Sequence, residues 1–156
     1  MDREAAFDGE EKIHQVIDLL RRAQRLDFKK VHRRVQSAEF IMLSTLWDFR
    51  ERGVQATVSQ IKEQLHVTPS AVTNLLRVLE NKGLIRRQTD SGNRRQTFVF
   101  LTEEGACVFR EELKLVRNFS AGVYREMGAR DSAQAIVLLE KLVNIMENEL
   151  RKPSEK

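Results

Sequence analysis

The sequence of 156 residues predicts a mainly α fold with a small β-hairpin, and three observations carry that prediction. Apolar residues recur at helical spacing along most of the chain. A short helix, a turn and a second helix opening Thr68-Pro69-Ser70 run directly into two stretches rich in β-branched and aromatic residues. Between those stretches, Thr89-Asp90-Ser91-Gly92-Asn93 is dense in turn formers, and Arg94 and Arg95 lie just past the tip. Residues 57–105 therefore describe a winged helix-turn-helix, with further helices on both sides.

The elements follow in order. Glu10 to about Leu26 places Ile13, Val16, Ile17 and Leu20 on one stripe. Ser37 caps a helix with Phe40, Ile41, Leu43, Leu46 and Trp47 as its apolar content, ending near Gly53. Thr57 or Ser59 can cap the next helix, and Gln60, three residues after Thr57, meets the capping-box spacing. Val58, Ile61 and Leu65 share its inner face. His66 falls where the chain must turn, a place that favours tolerance of positive φ. Thr68 caps the second helix and Pro69 takes its first position, where a missing N–H costs nothing. Val72, Leu75, Leu76 and Leu79 form the buried stripe, while Ser70, Thr73, Asn74 and Arg77 recur at helical spacing on the opposite side. Asn81-Lys82-Gly83 ends this helix, Gly83 being free to turn left-handed. Leu84–Gln88 and Gln96–Leu101 are the hairpin strands. Thr102 caps a long helix bearing Phe109, Leu113, Val116, Val123 and Met127. Asp131 or Ser132 starts a last one bearing Ile136, Leu139, Leu142, Val143, Met146 and Leu150. Residues 1–9 and 152–156 read as frayed ends.

The polar face of the second helix has chemistry suited to base edges. An Asn can pair with adenine, an Arg with guanine, and a Thr methyl can touch thymine. The hairpin adds Arg86, Arg87, Arg94 and Arg95 against Asp90, a net of +3 over residues 86–95, with long cations placed to reach phosphates or a narrow minor groove. Each feature alone describes a solvated helix or a soluble turn. Their succession in one segment points to double-stranded DNA as the partner.

Three stretches, TPSAVTNLLRVLENKGLIRR, the loop DSGNRRQ and the closing LTEEG, resemble the winged-helix core of the MarR family of bacterial transcription regulators. The resemblance implies a single domain over residues 1–156, with 37–104 as the DNA-binding core and 10–36 and 105–151 as dimerisation helices. It implies a homodimeric repressor on a pseudo-palindromic operator, its affinity tuned by a small-molecule effector that no residue here identifies. The DNA-binding set it implies is Thr68, Pro69, Ser70, Thr73, Asn74, Arg77, Arg94 and Arg95, with Arg95 matching the family's minor-groove arginine. Asn93 stands where the family usually has an Asp that helps hold that arginine. Asn93 can do so by hydrogen bond but not by charge, and Asp90 is the candidate for the missing charge.

Whole-chain properties are compatible with this but less specific. The net charge is +4, yet residues 1–11 carry −4 and residues 21–34 carry +6. The basic run reads first as a solvated helix end, and second as a phosphate contact. No apolar stretch approaches the roughly 20 residues of a membrane span, and the acidic N-terminus is unlike a signal peptide, so a cytoplasmic location is expected. His14, His32 and His66 are scattered, which predicts no metal and no cofactor. No phosphate loop, nucleophile elbow or carboxylate pair appears, so an enzyme is not expected. Two other readings stay open. One is a winged-helix module that binds a protein, argued from the modest charge and the apolar surplus of the terminal helices. The other is a redox-sensing regulator using Cys107, the single cysteine, although its neighbours Ala106, Val108 and Phe109 describe a small buried apolar residue.

Overall fold

The computed structural model describes residues 2–89 and 96–152, and the side chains of all of these except residues 2–10 and Lys29. Its elements are α1 (Asp2–Gln24), a 3-10 turn (Phe28–Lys30), α2 (Ser37–Glu51), β1 (Ala56–Thr57), α3 (Val58–Leu65), α4 (Pro69–Asn81), β2 (Ile85–Thr89), β3 (Thr97–Leu101), α5 (Glu103–Met127) and α6 (Ala129–Arg151). The fold is mainly α with a small antiparallel sheet in the order β1-β3-β2. β2 pairs with β3 from Ile85↔Leu101 to Thr89↔Thr97, and β1 pairs through Ala56↔Val99 and Thr57↔Phe98.

The core belongs to the winged segment and the helices beside it. Met42, Leu43 and Leu46 of α2, Ile61 of α3, and Val72, Leu76 and Leu79 of α4 meet Leu84, Ile85 and Val99 of the sheet region. Val108 and Phe109 of α5 close it. Phe40, Phe109 and Trp47 extend it as a run of rings, with centroids 5.6 and 5.2 Å apart. Thr57 caps α3 by accepting from the Gln60 N–H, and the Gln60 side chain answers the Thr57 N–H at 2.9 Å. The capping box expected there is formed. His66 takes φ 50°, the left-handed turn expected of it. Gly83, at φ 70°, lets the Leu84 N–H reach back to the Leu79 carbonyl at 3.0 Å, closing α4.

Several boundaries differ from expectation, most for a local reason. α1 begins at Asp2, well inside the segment read as a frayed end. The N-cap of α2 is Gln36 and not Ser37, because Glu39 reaches back to accept the Gln36 N–H at 2.8 Å. β2 starts at Ile85, since the Leu84 N–H is already committed to α4. β1 was not foreseen; two residues are too few to show alternation. α6 begins at Ala129, directly after Gly128 at φ 76°, so neither Asp131 nor Ser132 starts it. Ser132 is buried and its hydroxyl donates to the Tyr124 carbonyl instead.

The apolar stripes of the terminal helices face outward. Ile13, Ile17 and Leu20 of α1 and Ile136, Leu139, Val143, Met146 and Leu150 of α6 are exposed, Leu139 by 59% and Leu150 by 83%. Contiguous apolar surface of this kind is characteristic of interaction sites. Among the described residues no helix is long and apolar enough to cross a membrane.

Candidate nucleic-acid interface

α4 presents the face that the sequence assigns to it. Ser70, Thr73, Asn74 and Arg77 are exposed, while Val72, Leu76 and Leu79 are buried on the opposite side. Leu75, expected in the buried stripe, is half-buried at its edge. The Thr68 hydroxyl accepts from the Ala71 N–H at 3.3 Å and lies 3.1 Å from the Ser70 hydroxyl. Pro69 sits at the first turn, and the Thr73 hydroxyl donates back to the Pro69 carbonyl at 2.9 Å. The Arg77 guanidinium donates to Asn74 Oδ1 at 3.0 Å. Asn74 and Arg77 thus form one preorganised unit, in which the amide oxygen holds the guanidinium and leaves its remaining N–H donors for a partner.

Two ion pairs clamp the C-terminal end of this helix. Lys82 Nζ lies 2.9 and 2.8 Å from the two oxygens of Glu39, a carboxylate only 5% exposed, joining α4 to α2. Arg87 on β2 donates to Glu80 through Nε at 2.8 Å and also through Nη2, joining α4 to the wing. The hydrogen bonds of this pair hold Glu80 below the ordinary carboxylate range and Arg87 above its usual value, against the opposing effect of desolvation. Arg87 is therefore committed within the fold, and the net +3 of the hairpin overstates the charge it offers to DNA. Arg86 remains exposed, with its guanidinium 4.2 Å from the Phe100 ring centroid. Arg94, Arg95, Asp90 and Asn93 lie outside the described residues.

A third junction went unforeseen. Glu112 of α5 is 1% exposed and accepts from His32 Nδ1 at 3.0 Å, from the Arg34 N–H at 2.7 Å and from the Arg33 N–H at 3.1 and 3.2 Å. Arg34 then pairs with Glu104 at 2.6 Å and Glu111 at 3.5 Å, and the hydrogen bond to Glu104 is the main cause holding its guanidinium above the usual value. These contacts fasten the segment between α1 and α2 to α5. His32, one of the three scattered histidines, is a structural residue here. The signal was present: Glu112 lies three residues after Phe109 and one before Leu113, a carboxylate on an apolar stripe. Glu39–Lys82 and Glu80–Arg87 had no such signal, since no helical or strand period relates them. Cys107 is half-buried, with Sγ 3.8 Å from Glu111 Oε1.

Comparison with known proteins bears on the family and the fold. The MarR family profile matches residues 37–97. The HTH-type transcriptional repressor MdtR of Bacillus subtilis (strain 168) is 34% identical over 115 residues, spanning 74% of this chain and 72% of MdtR. The chain belongs to the MarR family. It is a MarR-family transcriptional regulator with that family's winged-helix DNA-binding fold. Two solved MarR-like structures share the fold. The MepR–DNA complex of S. aureus superposes with a TM-score of 0.63 at 24% identity, over 70% of this chain and 79% of MepR. BpsR of Bordetella bronchiseptica, described with the regulation of its DNA binding by 6-hydroxynicotinic acid, gives 0.64 at 20% identity, over 83% of this chain and 98% of BpsR.

Proposed function

We propose that this MarR-family regulator is a cytoplasmic homodimeric repressor that sets one α4 from each protomer into successive major grooves. The observation that carries this reading is the outward row Ser70, Thr73, Asn74 and Arg77 on a helix clamped at its far end by Lys82 and Arg87. Thr68 and Pro69 bring the helix N-terminus to the phosphates, where the exposed N–H groups favour an anion. Thr73 and the Asn74–Arg77 unit read base edges. The wings carry Arg94 and Arg95 to the flanking minor grooves, Arg95 the deeper, with Asn93 and Asp90 steadying it.

Dimerisation is supported by the exposed apolar stripes of α1 and α6, which a second copy would cover as residues 10–36 and 105–151 interlock around a core of 37–104. Two-fold symmetry then calls for a pseudo-palindromic operator with half-sites about one helical turn (~10 bp) apart. The repressor role has its support in MdtR, and tuning by a small effector in BpsR.

Fluorescence anisotropy tests this with DNA from around the gene and a random duplex at two salt concentrations. The expected result is tight, salt-steep binding of one fragment by two protomers. Arg77→Ala should cost about 1–3 kcal/mol, roughly 5- to 150-fold in Kd, on that fragment. A loss equal for every sequence would make Arg77 a phosphate contact. Weak binding, equal for both duplexes, would refute DNA recognition and favour a protein-binding winged helix.

A further inference from the structure

The polar atoms on the outer face of α4 are not equally free to meet a base. The Thr73 hydroxyl hydrogen is spent on the Pro69 carbonyl at 2.9 Å, so that oxygen can meet a base only as an acceptor. At the next turn the balance reverses. Asn74 Oδ1 accepts from Arg77 Nη2 at 3.0 Å, which commits the amide oxygen and leaves the amide NH2 as the free end of the side chain. Glu80, the one carboxylate of α4, is taken by Arg87. The Asn74–Arg77 end of the face therefore offers N–H donors from two side chains and no uncommitted carboxylate.

That inventory selects among base edges. An Asn reads adenine by accepting from its amino group through Oδ1 while Nδ2 donates to N7. Here the guanidinium already competes for Oδ1, and a charged donor holds an acceptor roughly twice as strongly as a neutral amino group does. Adenine and cytosine both turn an amino group into the major groove, and opposite N–H donors that group would stay unpaired, at about 1–3 kcal/mol. Thymine has one acceptor beside a methyl. Guanine alone presents two acceptors, N7 and O6, and no donor. Residues three apart are separated by ~4.5 Å along a helix, close to the ~3.4 Å base-pair step, so the two side chains reach neighbouring base pairs.

We propose that each operator half-site presents guanines, on either strand, at two neighbouring base pairs. One meets the Arg77 fork and the other the Asn74 NH2, and Asn74 rejects adenine for as long as Arg77 holds its oxygen. The inference rests on the reading of α4 as the helix that enters the major groove, and adds which bases it selects.

The test is selection of duplexes from a random pool by the full chain, repeated with Asn74→Ala and Arg77→Ala, both at exposed positions. The base pair at which Asn74→Ala abolishes preference is the one Asn74 reads, so no knowledge of the natural operator is needed. In the parent that pair and its neighbour should be G·C, with guanine favoured over adenine at least about fivefold in anisotropy titrations. In Arg77→Ala the amide oxygen is released, and the guanine preference at the Asn74 position should fall to about unity or reverse toward adenine. A general loss of charge or stability would weaken every sequence alike and leave that preference intact. An A·T pair at the Asn74 position in the parent overturns the proposal, as does a guanine preference there that Arg77→Ala leaves unchanged. A selected motif indifferent to Asn74→Ala overturns it too. In each of these cases a motif is still enriched and the DNA-recognition reading stands; enrichment of no sequence at all would refute both.

Discussion

Replacing Glu112 tests whether the junction between α5 and the chain before α2 holds as its geometry indicates. In Glu112→Ala the Arg33 and Arg34 N–H groups and His32 Nδ1 lose their shared acceptor at a site 1% exposed. An unsatisfied buried donor costs about 1–3 kcal/mol, so three would cost several if all stayed dry. Water entering the space left by the carboxylate will satisfy some of them, which brings the expected loss to about 3–5 kcal/mol. Glu112→Gln should behave differently. Its amide oxygen can stay at the Oε1 position, where both main-chain N–H groups converge at 2.7 and 3.1 Å. Its NH2 then faces His32 Nδ1, which accepts from it in the tautomer that carries the ring proton on Nε2. The loss left to Gln is the charge assistance, about 1 kcal/mol. Urea unfolding followed by Trp47 fluorescence, at one fixed protein concentration, separates the two variants. With a slope of about 2–3 kcal/mol/M, Ala should shift the midpoint by more than ~1 M and Gln by less than ~0.5 M. An Ala variant within about 1 kcal/mol of the parent, or a Gln variant as damaged as Ala, would refute the reasoning.

The remaining predictions concern the wing and its ties to α4. At Gly105 an added Cβ would lie 2.0 Å from the Leu84 carbonyl oxygen, a backbone atom that cannot step aside, so Gly105→Ala should destabilise by about 3 kcal/mol or more and lower the thermal midpoint. The Glu80 carboxyl is held below its unfolded value by Arg87, so its contribution is present above the unfolded pKa of about 4.3 and lost as pH falls through the lower folded value. The parent should therefore exceed Glu80→Gln in stability near neutrality and converge with it in acid. A gap between the two that stays constant from ~pH 6 to ~pH 3 would show that the pair does not carry it.

The winged core was legible wherever a local rule governs a local outcome. The box at Thr57–Gln60, the left-handed His66, the Thr68-Pro69 start and the Gly83 end all follow from side chains acting within a turn of themselves, and each stands where the sequence puts it. The exposed face of α4 was legible because seven residues of helix suffice to separate two sides. What stayed hidden depends on distance along the chain. Glu39 meets Lys82 across 43 residues and Glu112 meets Arg33 across 79, and no periodicity announces either partner. β1 was invisible for the opposite reason: its existence depends on β3 being there to pair with it.

Those long-range pairs also explain why the net charge of +4 says so little. Arg34, Arg50, Lys82 and Arg87 each hold a carboxylate of this same chain, at Glu104, Glu103, Glu39 and Glu80. A phosphate would have to displace that carboxylate before gaining the cation, so such residues add little to the release of counterions that drives DNA binding. Among the described residues Arg77 and Arg86 hold only neutral groups, Asn74 and Gln88, and keep their charge available. One of them lies on the outer face of α4 and the other on the wing. The location of uncommitted cations, and not their sum over the chain, therefore determines where an anionic partner gains most, while Lys82 and Arg87 tie α4 to α2 and to the wing.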